Sequence, residues 1–322
     1  MTDVVIIGAG MSGIACARAL RAAGVQVRII DKGRGIGGRV ATRRAEVAGQ
    51  QVTFDHGAQY LDQNDDTATI AELGEDATNH WHLGDGTRGL VGSPEMAALP
   101  KSLARGLDIT LNTRVTRLTE DGPRWTIQTD PGALTATHVI VTIPAPQLGA
   151  LLGDTHPVVQ RASGAVMHPC MTLMAAFDGD RPAPFSTQRD CQAVLTWIAR
   201  NDTKPGRSLV YQTWVAQADP GWSAERIDAN RDDIKAQMVD LLCDALGNDP
   251  AQVRHAGLQG WRYGLVQTPL GQPFVAHGTL WVGGDWCCGP KVQDAWRSGS
   301  SIATSVLETL GSSVKALGSN GL

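Results

Sequence analysis

The residues whose types and spacing best suit chemistry are glycines. Gly8-Ala9-Gly10-Met11-Ser12-Gly13 is a G-x-G-x-x-G run set between a β-branched stretch, Val4 to Ile7, and an alanine-rich helical pattern from Met11 to Ala23 closed by Gly24. Each glycine has a physical reason in a dinucleotide site. Gly8 allows a tight turn, Gly10 lets the backbone approach a pyrophosphate, and Gly13 lets the helix pack close to the strand. The helix start at Met11 and Ser12 offers unpaired N–H groups and about half a positive charge to phosphates. A second strand, Val25 to Asp31, ends in a carboxylate that can accept hydrogen bonds from ribose hydroxyls. Lys32 and Arg34 follow, and basic residues there can hold a 2′-phosphate, which leaves NADP open.

Two further segments carry the same kind of signal. Gly35-Ile36-Gly37-Gly38-Arg39 reads as a loop pressed against a cofactor, with Arg39 able to pair bidentately with a phosphate. Near the C-terminus, Leu280-Trp281-Val282 reads as a strand. Gly283-Gly284 then permits close backbone approach, and Asp285 is an acceptor for sugar-like hydroxyls. Other chemistries find less support. The six cysteines (Cys16, Cys170, Cys191, Cys243, Cys287, Cys288) include no C-x-x-C spacing and read as reduced thiols. The eight histidines form no metal-ligand spacing, so no metal is expected.

The elements that must position these residues follow from hydrophobic periodicity. The N-terminal unit is β-α-β. Thr113 to Thr142 reads as a β-meander with a turn at Asp121-Gly122 and a buried strand at Val139-Ile140-Val141. After Pro144 the expected strands are Thr172 to Phe177, Ala193 to Ile198, Leu209 to Trp214 and Val253 to Trp261. One helix lies among them, with Ile234, Met238, Leu241, Leu242 and Ala245 at helical spacing. A last helix runs from about Val292 to Leu310 with an apolar stripe. A length of 322 residues accommodates two domains. With 42% hydrophobic and 19% charged residues the chain is globular rather than disordered, and a net charge of −4 argues against nucleic-acid binding. There is no apolar run long enough for a membrane span, and the start from Met1 into Val4 shows no secretory signature, so a cytoplasmic protein is expected.

Taken together these motifs resemble the flavin-dependent amine oxidase superfamily. Its members carry an acidic residue, a short spacer and G-G-R, as in Asp31 through Arg39. Asp55-His56-Gly57-Ala58-Gln59-Tyr60 resembles the signature where the chain passes the flavin ring. Leu280 through Trp286, followed by Val292-Gln293-Asp294-Ala295-Trp296-Arg297-Ser298-Gly299, resembles the ribityl-binding strand and the helix after it. Thr196-Trp197-Ile198-Ala199-Arg200-Asn201 and the modest length are closer to the bacterial renalase-like branch. The resemblance implies an α/β fold: an FAD-binding Rossmann-like domain (1–59, 93–145 and 277–311), a substrate domain built on an antiparallel sheet with helical cover (60–92 and 146–276), and a flexible tail (312–322). It implies non-covalent FAD held by Gly8, Gly10, Met11, Ser12, Gly13, Asp31, Lys32, Gly38, Arg39, Ala58, Gln59, Tyr60, Val115, Gly284, Asp285, Val292 and Gln293.

Aromatic residues make up only 5% of the chain, yet nine of them are tryptophans. Tyr60, Trp197, Trp214, Trp261, Tyr263 and Trp286 are candidate walls for a planar substrate. Arg262, with Arg200, Lys204 and Arg207, is a candidate for receiving phosphates. No catalytic side chain is assigned, because a flavin carries the reaction itself. His56 and Cys287 lie within the flavin motifs and are expected in supporting roles. The leading expectation, from the renalase resemblance, is a hydride transfer from a mis-reduced (2- or 6-dihydro) nicotinamide dinucleotide to flavin and on to dioxygen. The alternatives are an amine oxidase or desaturase acting on a small or lipophilic metabolite, and a non-catalytic flavin or NADP redox protein.

Overall fold

The computed structural model describes residues 4–130, 132–180, 182–190 and 193–319, and the chain divides into two compact units. Cys191 lies outside the described residues. Unit 1 comprises 1–38, 103–167 and 266–322; unit 2 comprises 39–102 and 168–265.

Unit 1 is organised by a six-stranded sheet in the order Val275–His277, Leu280–Val282, His138–Val141, Val4–Ile7, Val27–Ile30, Asp108–Thr110. All neighbours run parallel except the pair Val275–His277 and Leu280–Val282. The central strands Val4–Ile7 and His138–Val141 are buried throughout, the mark of a parallel sheet covered on both faces. On one face lie the helices Met11–Ala22 and Val292–Ser319, sharing a core of Cys16, Ala17, Leu20, Ile302, Ala303 and Val306 with the strands. The meander Val115–Asp121, Arg124–Thr129, Gly132–Ala136 closes a second core through Leu118, Trp125 and Ile127. Because the strands are parallel, the loops after Ile7, Ile30, Val141 and Val282 all leave from one edge of the sheet.

Unit 2 is built on a five-stranded sheet, in the order Thr187–Arg189, Leu195–Arg200, Tyr211–Ala218, Val166–Asp178, His255–Thr268. One face packs on the helix Arg231–Leu246 through Leu173, Phe177, Ile198, Trp214, Ile234, Met238 and Leu242. The opposite face meets the hairpin Thr42–Val47/Gln50–Asp55 through Val52, Phe54, Met174 and Val215. A second hairpin pairs Thr78–His82 with Arg88–Gly92.

The units are drawn differently from the expected domains. Residues 39–59 fall in unit 2 because the first hairpin buries Phe54 against the antiparallel sheet, and 93–102 follow through the Met96 and Ala97 amides, which donate to Asp55 and Thr42. Residues 146–167 and 266–276 fall in unit 1, where Leu148, Leu151, Val158, Val266 and Val275 join the meander core. The expected strand from Leu209 starts instead at Tyr211, and Leu209 is exposed. The last helix continues to Ser319, past its expected end, and 320–322 of the expected tail lie outside the described residues. Among the described residues no helix is long and apolar enough to cross a membrane, and no acidic, histidine or cysteine cluster could hold a metal ion.

The contact between the two long helices of unit 1 requires glycine. A Cβ on Gly299 would run into the carbonyl of Ser12. Gly299→Ala is therefore expected to lower the unfolding free energy by about 1–3 kcal/mol through overpacking; a urea midpoint equal to that of the parent protein would contradict this packing.

Candidate functional site

In unit 1 the first glycine loop and the G-G-R loop are held by backbone contacts. Gly8 adopts φ +111°, and Gly37 donates its N–H to the carbonyl of Ala9 at 2.9 Å. Gly38, at φ +59°, lies where a Cβ would stand 3.4 Å from the Gly10 Cα, so the second loop rests on the first. Asp31 stitches both together, its carboxylate accepting the N–H of Ala9 and of Gly33, each at 2.6 Å. Thr113 donates to the Asp31 carbonyl at 2.9 Å, which brings the start of the Val115 strand alongside. Lys32 is exposed.

A cofactor must find both space and unsatisfied partners. A Cβ on Gly10 would meet nothing within 4 Å, so the backbone there faces open space. The Met11–Ala22 helix has Gly10 as its N-cap, with no side-chain cap and no acid in its first turn. Its leading amides remain available to an anion. The Ser12 hydroxyl is buried without a hydrogen-bond partner. At the start of the other long helix Gln293 is 1% exposed, yet neither its amide nitrogen nor its oxygen has a partner. Buried polar atoms are rarely left unsatisfied. Two such residues, on helices that touch at Ser12 and Gly299, fit a polar group lying across both. Asp285 is buried and opens the short turn after Gly284, whose φ of 155° and tight approach to Trp286 exclude a side chain. The arrangement fits a flavin dinucleotide: backbone amides for phosphates, Asp31 and Asp285 for hydroxyls, and the orphaned Gln293 amide for a ring edge.

Two expected residues of this region serve the core instead. Trp286 is fully buried in the meander core and donates Nε1–H to the carbonyl of Ile143 at 2.9 Å, so it is not a substrate wall. Cys287 is buried beside it, and burial pushes its thiol far above the usual range, which keeps it protonated and unreactive.

In unit 2 the 55–60 turn is fixed by a buried charge cluster. The Asp55 Oδ2 accepts from Arg207 Nη2 at 2.6 Å and Lys204 Nζ at 3.1 Å, while Oδ1 accepts from Thr42 Oγ1 at 2.6 Å and the Met96 N–H at 2.9 Å. All three charged side chains are essentially inaccessible. Burial alone would raise the Asp55 carboxyl, but the two cations and the hydrogen bonds override it and hold it down at about 2. Burial pushes Lys204 down to about 8 against the pull of Asp55. These two cations, expected to receive phosphates, are therefore internal partners. Gln59 is spent likewise: its amide donates to the carbonyls of Asp55 and Gly57, and its oxygen accepts from Lys204. The charged cluster left no signal in the sequence, since Asp55 and Lys204 are far apart along the chain.

The rest of the turn is pressed against Arg39. The Ala58 N–H donates to the Arg39 carbonyl at 3.0 Å, and a Cβ on Gly57 would collide with that same carbonyl. Arg39 itself donates to the Gly264 carbonyl at 3.2 Å. His56 stacks on Trp261 at 5.2 Å, and Trp261 Nε1–H donates to the His56 carbonyl at 2.8 Å. Burial, with Arg43 nearby, lowers His56 to about 4, so its imidazole is neutral at pH 7. Tyr60 packs against Trp81 and Trp197 at 6.3 and 5.9 Å. Tyr263 is half-buried. Trp214 points to the opposite face and is fully buried under the Arg231–Leu246 helix, so it is core rather than wall. Arg262 is exposed and paired with Asp228, and Arg200 with Asp202, which removes both from the expected phosphate set.

Comparison with known proteins agrees with this geometry. Residues 71–307 match the family model described as flavin containing amine oxidoreductase, and residues 6–73 match that of an NAD(P)-binding Rossmann-like domain. Solved structures with a similar fold include a protein named as a protoporphyrinogen oxidase from Exiguobacterium sp. 255-15 (TM-score 0.69, 15% identity, 95% of this chain and 98% of that one). They also include wild-type putrescine oxidase bound to putrescine (TM-score 0.68, 15% identity, 95% and 99%). A third is cyclohexylamine oxidase from Brevibacterium oxydans IH-35A (TM-score 0.68, 14% identity, 96% and 99%). At such identities the likeness to these structures is one of fold.

Asp55→Asn leaves Lys204 and Arg207 buried without their counter-charge, and a loss of about 3–5 kcal/mol in unfolding free energy is expected. Because the folded carboxyl sits below its unfolded value, its stabilisation is present above about pH 4 and is lost as pH falls towards 2. Denaturation curves at pH 7 and in acid check both: the deficit of Asp55→Asn should shrink in acid, and a deficit independent of pH would contradict the ion cluster.

Proposed function

The chain belongs to the flavin-containing amine oxidoreductase family and is an FAD-dependent oxidoreductase, and we propose that its substrate is a mis-reduced nicotinamide dinucleotide, the 2- or 6-dihydro isomer. The overall change takes the dihydro isomer, dioxygen and a proton to NAD(P)+ and hydrogen peroxide. Bound FAD supplies the two-electron chemistry that links substrate to dioxygen.

The protein's own residues bind, orient and exclude water. For the cofactor we assign the phosphates to the Gly8–Gly13 loop and the amides of Met11 and Ser12, with Arg39 following Gly38. The ribose falls to Asp31, the adenine to the Val115 backbone, the ribityl hydroxyls to Gly284 and Asp285, and the ring edge to the helix start at Val292 and Gln293. Ala58 and Tyr60 belong to the ring side by the family resemblance. Lys32 is assigned to the ribose side with Asp31.

The observation that carries the substrate reading is the sheet face beside the 55–60 turn. Gln217, which donates to the Gly57 carbonyl at 2.8 Å, is in register with Trp197, and Trp197 packs on Tyr60. Among the described residues, the paired positions Arg189, Trp197, Gln217 and Thr172 include no carboxylate. An amide and a hydroxyl with a cation and no acid among them suit an uncharged dihydronicotinamide ring on a dinucleotide; a protonated amine would call for an acid or an acceptor cage. The second reading is an amine substrate. It is favoured by the family's description and by the putrescine and cyclohexylamine oxidases among the proteins of similar fold.

Mixed anaerobically with each dihydro isomer and with putrescine in separate syringes, the flavin should bleach rapidly with an isomer only; bleaching by the amine alone would replace this reading with the second. Gln293→Ala should lose roughly 0.5–1.5 kcal/mol of FAD affinity, the net worth of an ordinary hydrogen bond. Flavin-to-protein ratios after dialysis check it, and equal retention would remove Gln293 from the cofactor site.

A further inference from the structure

We propose that Arg189 and Trp197 form an anion-binding element on the sheet of unit 2 that holds a phosphate of the substrate; this rests on the dinucleotide reading above. Neither residue has been given such a role by the motifs, and Arg189 carries no signal in the sequence.

The element is built by one irregularity. Leu195 pairs with Ala218 and Trp197 pairs with Gln217, so two steps along one strand answer one step along its neighbour. This bulge at Thr196 reverses the alternation. Leu195 and Ile198 both point into the core under the Arg231–Leu246 helix, whereas Trp197 is turned to the opposite face. Bulges that re-aim a side chain are concentrated near functional sites. The register then continues from Arg189 to Trp197, Gln217 and Thr172 across four strands.

Within that row the Arg189 guanidinium lies over aromatic carbon. Its guanidinium carbon is 4.6 Å from the Trp197 ring centre and 5.7 Å from that of Tyr60, and Nη2–H donates to the Tyr60 hydroxyl. The two ring contacts and the Tyr60 hydrogen bond hold the head group in place, and a guanidinium carries more N–H groups than that one bond uses, enough to grip a phosphate bidentately. Charge pairing separates Arg189 from the other cations of this sheet and its loops. Arg200, Lys204, Arg207, Arg254 and Arg262 each have a carboxylate, whereas among the described residues Arg189 has none. A second donor stands beside it: Trp197 is 6% exposed, and its indole Nε1–H is buried with no partner. A donor left unsatisfied next to an unneutralised guanidinium is an arrangement completed by an oxyanion.

The probe is inorganic pyrophosphate, titrated calorimetrically into the FAD-loaded protein. Wild type should bind it, Arg189→Gln should bind at least tenfold more weakly, and Trp197→Phe, which keeps an aromatic face but loses the indole N–H, should lose several-fold. In anaerobic stopped flow, Arg189→Gln should raise the apparent Kd of the dihydro dinucleotide by a similar factor and leave the limiting rate of flavin reduction unchanged. Pyrophosphate affinity equal in wild type and Arg189→Gln, or no binding by wild type, overturns the anion element. Failure of both isomers to reduce wild-type flavin, with pyrophosphate binding still lost in Arg189→Gln, overturns the dinucleotide reading while supporting the anion site.

Discussion

The carboxylate of Asp55 is the constraint on which unit 2 depends. A carboxylate removed from water is tolerated only if its charge is answered and its lone pairs are filled. Here the answer comes from segments distant in the chain: the 204–207 loop supplies two cations, Thr42 a hydroxyl and Met96 an amide. Asn201 adds a further tie by accepting the Asp55 N–H and donating to the Thr53 carbonyl. None of these groups can leave without stranding another. The turn that follows Asp55 therefore inherits its position from an ion cluster rather than from its own short sequence.

Unit 1 works on the opposite principle, leaving groups unanswered. Its parallel strands deliver two helix starts and two acids to one edge, and glycines clear the backbone of side chains where the loops cross. The Ser12 hydroxyl and the Gln293 amide stay without protein partners. A binding surface must withhold part of its hydrogen-bonding capacity from the fold, since groups that satisfy one another offer nothing to a ligand.

This contrast explains what could be read from the sequence. The β-α-β unit, its glycines and Asp31 were legible because strand, turn and helix are adjacent in the chain. The pairing of Leu280–Val282 with His138–Val141 was hidden by distance, although the glycines and acid after it were visible. The tryptophans could not be sorted. Trp197 and Trp214 both sit in strands rich in apolar neighbours, and the face each occupies depends on cross-strand register. Lys204 and Arg207 showed the right chemistry for phosphate and the wrong burial, because only the folded chain sets Asp55 beside them.

The bulge at Thr196 has an evolutionary consequence. A single inserted residue exchanges which side of the sheet the following side chain serves, while the core beneath keeps Leu195 and Ile198. Recognition can thus be rewritten by lengthening or shortening one strand by a residue, with no repacking of the helix layer. Descendants of such a scaffold could diverge in what they accept while remaining equally well folded.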